Sequence, residues 1–137
     1  MDNAIENKEI SSYKFACIVA RFLDDFSAEN ISILNISNVS SFADYFVICS
    51  ADTGTQVRAL TENVKGKVKK TFSRMAVRTE DDMRNRWNLV DYGDVILHIL
   101  HKEERETYAL EKFWNNALCI QEDEWMDVSK EYSMYNV

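Results

Sequence analysis

The only imidazoles in the chain are His98 and His101. Three residues apart in a strand, they project to opposite faces and cannot chelate one metal without a bend. A lone strand histidine reads as structural. The carboxylates fare no better. Nucleotidyl transfer by two metals needs carboxylates gathered within a few ångströms. An Asp-x-Asp pair achieves this because i and i+2 share a strand face. Asp91 and Asp94 are instead three apart across Gly93, and the adjacent pairs Asp24-Asp25 and Asp81-Asp82 diverge. Glu122 and Glu124 have suitable spacing but stand in a tail expected to be poorly ordered. No serine elbow, GxGxxG or P-loop is present. Thr53-Gly54-Thr55 could cradle an anion at a helix N-terminus, and a plain helix start explains it as well. Cys17, Cys49 and Cys119 are odd in number and form no CxxC pair, which argues against metal ligation and a disulfide framework. The expectation is no catalytic residue, no metal and no cofactor.

What remains is a set of polar and aromatic residues without an evident core role. Trp87, Asp91, Tyr92 and Asp94 are expected to cluster at one end of a hairpin, and Arg105, Tyr108 and Glu111 recur at i, i+3 and i+6 of a helix. Aromatics with arginine are common anchors of protein interfaces. The seven form a candidate partner-binding surface. The alternative is that Trp87 and Tyr108 merely seal the sheet against the helix.

The elements that would hold these residues can be read from apolar spacing. Ser11 or Ser12 can cap a helix carrying Tyr13, Ala16, Val19, Ala20, Leu23 and Phe26 at helical period, ending near Glu29. Ile31–Ile36 is rich in β-branched residues and reads as a strand. Tyr45–Cys49 is a continuous apolar run, as for a strand covered on both faces. Thr53 and Gln56 suit a capping box, and Val57, Leu60, Val64, Val68 and Phe72 form the stripe of the helix that follows. Met75–Arg78 is a short strand, and residues 80–86 are a loop. Trp87–Asp91 and Val95–Leu100 are strands joined through Gly93, which can take positive φ. A last helix spans about Glu103–Asn116 and packs through Leu110, Phe113, Trp114 and Ala117. The expected fold is α/β (α+β): a mixed sheet of about five strands with helices packed on it. Residues 1–118 form the domain and residues 119–137 an acidic tail, in which Trp125, Tyr132 and Tyr135 could dock.

The 137 residues suffice for one domain with its own core, 46% of them being apolar. The net charge of −7 disfavours broad nucleic-acid binding, which draws on Lys and Arg. It suits a basic protein partner, or simply solubility. No run of about 20 apolar residues exists to span a membrane. Met1–Glu6 resembles neither a signal nor a transit peptide, so the cytoplasm is the expected location.

Three blocks carry a family resemblance. They are Ser40–Cys49 with Gln56-Val57-Arg58, then Trp87-Asn88-Leu89-Val90-Asp91-Tyr92-Gly93-Asp94-Val95 through Ile99, then Glu104–Trp114 with its Tyr108-x-Leu110-Glu111-x-x-Trp114 pattern. In this order, across Tyr13 to Trp114, the chain resembles the ribosomal silencing factor family, also called RsfS or Iojap-like. It departs from the family where Glu80-Asp81 replaces a Glu-Gly pair, and where Ala51 and Asp52 follow the second strand in place of a glycine. The resemblance implies a nucleotidyltransferase-like fold without that activity. It also implies binding to the large ribosomal subunit through its protein number fourteen, which would block small-subunit joining and repress translation. Homodimers of the free protein would also fit the family. The competing reading is an enzyme with a degenerate nucleotidyltransferase-like site.

Overall fold

A computed structural model of the chain describes residues 10–113 and 117–134. Trp114, Tyr135 and the side chain of Phe113 lie outside what it describes. Helix α1 (Ser12–Asp25) starts where the Ser11 hydroxyl accepts from the Lys14 N–H at 3.1 Å. Strands β1 (Glu29–Asn35) and β2 (Tyr45–Ala51) follow. Helix α2 (Gly54–Phe72) opens on the expected capping box, with Thr53 accepting from the Gln56 N–H and Gln56 accepting in return. The short β3 (Arg78–Glu80) precedes β4 (Trp87–Asp91) and β5 (Val95–His101). Helices α3 (Lys102–Tyr108) and α4 (Leu110–Phe113), β6 (Leu118–Ile120), α5 (Glu122–Val128) and a 3-10 turn (Lys130–Tyr132) complete the chain.

The sheet runs β3-β4-β5-β2-β1-β6. Among the described residues only β2 and β5 pair in parallel, so the segment containing α2, β3 and β4 is the crossover between them. The expected α+β class and mixed sheet stand, with six strands where about five were expected. Side chains alternate across the sheet. Ile33, Val47, Cys49, Val90, Leu97 and Ile99 join the larger core beneath α1, α2 and α5. Leu34, Phe46, Ile48, Ile96 and Leu100 form a smaller core on the other face, beneath α3 and α4.

Three local expectations change. Strand β3 lies at 78–80 instead of 75–78, because pairing begins where Arg78 meets Asp91. The last helix breaks at Ala109, whose φ of +43° is left-handed. Such a residue costs on the order of 1 kcal/mol, offset here because the bend carries Leu110 onto the smaller core and brings Glu111 back to Arg105. The acidic segment after Ala117 is part of the fold. Strand β6 pairs with Ile33–Asn35, and Trp125 is only 1% exposed. Arg21 clamps it by donating to the Met126 carbonyl at 2.6 Å and to Ser129 Oγ at 3.2 Å. Trp125 stands among acids with no apolar period around it. Its burial follows from α1, which is apolar on nearly every side and needs cover opposite the sheet. Among the described residues no helix is long and apolar enough to cross a membrane.

Candidate functional site

The smaller core has no long helix over it, and part of its covering layer is side chain alone. Trp87, Leu89 and Asp91, at i, i+2 and i+4 of β4, share this face with Ile96 and His98 of β5. Beside them the loop before β2 presents Phe42, 59% exposed, against Phe46 at 6.2 Å between ring centroids. Phe42, Phe46, Leu89, Ile96 and His98 line a cleft of about 460 Å³, with Arg78 and Asp91 also on its wall. Trp87 adjoins it through His98, and Tyr108 of α3, 54% exposed, packs on Trp87 at 5.0 Å.

His98 is the polar centre of this surface. Trp87 Nε1–H donates to His98 Nδ1 at 3.1 Å. Nδ1 is therefore unprotonated, and the neutral ring carries its proton on Nε2, which is buried without a hydrogen-bond partner. Burial pushes the His98 pKa down from 6.5 to about 4. The ring also stands edge-on to Phe46 at 4.6 Å. His101 faces elsewhere: it caps α3, its Nδ1 accepting from the Glu103 N–H. The two histidines do not converge, as the strand spacing anticipated.

The seven candidate residues divide three ways. Trp87 and Tyr108 touch and remain at the surface. Asp91 shares their sheet face but pairs near the opposite end of β5, with Ile96 where Trp87 pairs with Leu100. It accepts from the Gly93 N–H at 2.7 Å and faces Arg78 at 3.7 Å. Tyr92 is a correction. It is 3% exposed, on the helix side of the sheet, with its ring 5.3 Å from Phe15 and the Arg74 guanidinium 5.4 Å away. An odd number of residues from Trp87, it had to leave that face. Asp94 accepts from Arg74 and, at 2.7 Å, from Ser12 Oγ, so its charge is satisfied inside the molecule. Arg105 and Glu111 are the second correction: they bond to each other and both reach Ser32 of β1. Burial would raise the Glu111 carboxyl, but the hydrogen bond and charge of Arg105 override it and its pKa falls. This pair fastens α3 and α4 to the sheet.

Sequence reading passed over Phe42, Phe46, Leu89, Ile96 and His98 as a site. The alternation Trp87-Leu89-Asp91 was the available signal, but nothing in it tells which sheet face lacks a thick cover. Sequence reading also missed that Ser12 Oγ lies 3.2 Å from Asp44, bringing Asp44 near Asp94. Arg74 pairs with Asp94, and among the described residues no three His, Cys, Asp or Glu side chains converge to hold a metal. The glycine of the Thr53-Gly54-Thr55 start has a packing role. A Cβ on Gly54 would sit 2.7 Å from the Arg84 carbonyl, so glycine serves close packing against the 81–86 loop.

Comparison with known proteins agrees with the order of these elements. The family model described as ribosomal silencing factor during starvation matches residues 9–135. The chain is 39% identical over 100 residues to the ribosomal silencing factor of Bacillus subtilis, covering 73% of this chain and 84% of that one. It is 35% identical over 112 residues to that of Halalkalibacterium halodurans, covering 82% and 95%. A crystal structure of a protein from Chromobacterium violaceum superposes with a TM-score of 0.73 at 26% identity, covering 77% of this chain and 88% of that one. The match runs through β6 and α5, beyond the blocks legible by eye. The chain belongs to the ribosomal silencing factor family.

Proposed function

We propose that this chain binds the large ribosomal subunit through its protein number fourteen and, by occupying that position, keeps the small subunit from joining. The observation that carries the reading is the aromatic surface on the thinly covered sheet face, where Phe42 and His98 line the cleft and Trp87 and Tyr108 adjoin it. Large aromatics at a partly exposed site are the usual anchors of protein interfaces. Asp91 stands on the cleft wall where a basic residue of the partner can replace Arg78, and an acidic chain is drawn to a basic partner. Repression follows sterically, with no chemical step.

The test is pelleting of the purified protein with isolated subunits, followed by a joining assay. The expected result is co-sedimentation with large subunits alone and a dose-dependent loss of joined ribosomes. Equal pelleting with both subunits would remove the proposal.

A further inference from the structure

The net charge of −7 hides a strong segregation. Between residues 58 and 78 the chain places seven Lys and Arg against the single acid Glu62. Helix α2 carries most of them. Its apolar stripe of Val57, Leu60, Val64 and Val68 is buried on the sheet, so its charges point outward. Arg58, Lys65 and Lys69, at i, i+7 and i+11, fall on one line along the helix, about 16 Å long at 1.5 Å per residue. Lys70 stands beside the end of that line. Lys65 and Lys69 also line a groove of about 190 Å³ between α2 and the segment carrying Arg74 and Met75.

Little inside the molecule neutralises this strip. Lys65 reaches Glu62 at 3.6 Å, and among the described residues Arg58, Lys69 and Lys70 have no ion pair. Like charges at i and i+4 repel and weaken a helix. The chain has 23 acids, yet places one among these bases.

We propose that this flank of α2 is a second contact surface, one that takes the phosphodiester backbone of RNA. Three features favour RNA over an acidic protein. Lysine is depleted at protein interfaces, where planar arginine and aromatics dominate. Lysine is a compact point charge suited to phosphate contacts that position without reading sequence. The remaining acidic surface repels a polyanion, so the strip sets the orientation of approach. The flank lies across the sheet from the Trp87 cleft, so both surfaces can be occupied together. Docking through the cleft would raise the local concentration of ribosomal RNA at the strip. The inference rests on the proposed ribosomal role for its setting, while its own chemistry is tested apart from ribosomes.

The test is a variant carrying R58Q, K65Q, K69Q and K70Q, which preserves helix propensity and removes four charges. Circular dichroism checks its fold. At low salt the native chain should retard an RNA duplex of roughly 20 base pairs, and the variant should not. For large subunits, the slope of log affinity against log salt should flatten by about 3.6, near 0.9 for each of four phosphates no longer neutralised. W87A should keep duplex binding while losing subunit affinity, so failure of the cleft reading leaves this result intact. Equal duplex binding and equal salt slopes for native chain and variant would overturn the inference. So would binding of polyglutamate, but not RNA, that the four substitutions abolish, because the partner would then be an acidic protein.

Discussion

The two faces of the sheet use the same alternating apolar pattern and reach opposite ends. On one, Ile33, Val47, Val90, Leu97 and Ile99 lie under α1, α2 and α5, and even Trp125 is sealed. On the other, Phe46, Ile48, Ile96 and Leu100 are buried by two short helices and a few large side chains, two of which, Phe42 and Tyr108, are more than half exposed. The strand interior is equally dry on both sides. The difference lies in the cover. Among the described residues, three packed helices leave no aromatic ring more than half exposed, whereas a layer one side chain thick leaves two beside a cleft. Trp87 and Tyr92, five residues apart, fall on either side of that division.

The comparison predicts where substitutions act. The largest effect belongs to the thickly covered side. Trp125→Ala should cost about 3–5 kcal/mol of stability, as for other fully buried tryptophans, read from denaturant midpoints. A cost below about 1 kcal/mol would detach α5 from the core. Tyr92→Ala should behave likewise at slightly smaller magnitude, with subunit affinity unchanged once the folded fraction is corrected.

The thin side should be sensitive to pH. His98 is held neutral with a pKa of about 4, against 6.5 when unfolded. Between these values the unfolded chain binds the extra proton. Stability is therefore full above pH 6.5 and falls as pH drops toward 4, by on the order of 3 kcal/mol. Denaturant midpoints of the native chain and His98→Phe across pH 7 to 4.5 should diverge accordingly. Parallel profiles would mean that solvent reaches His98.

Substitution of Trp87 inverts the pattern of Trp125. Trp87→Ala should weaken large-subunit binding by at least about tenfold, since truncated anchors commonly cost ~2 kcal/mol, with a smaller change in stability. Retained affinity with a lowered melting temperature would return Trp87 to a purely structural role. Tyr108→Ala should have the smallest effect, about 1 kcal/mol in affinity or less, with no change in melting temperature, because its ring is more than half exposed.

The residues alone determined the local elements. Helical period located α1 and α2, the Thr53–Gln56 pair located the start of α2, and strand alternation separated His98 from His101. These depend on neighbours within a few positions, where geometry is nearly constant. Family membership was legible from short blocks for the same reason. Four outcomes needed the tertiary structure. Ala109 breaks the last helix because Arg105 finds Glu111 and Ser32. Trp125 is buried because α1 has a second face to cover. Asp94 is neutralised by Arg74, 20 residues away. The cleft exists because no long helix covers the face of Trp87. Each depends on contacts between distant segments, and period-2 alternation is identical whether the opposing layer is a helix, a side chain or a partner.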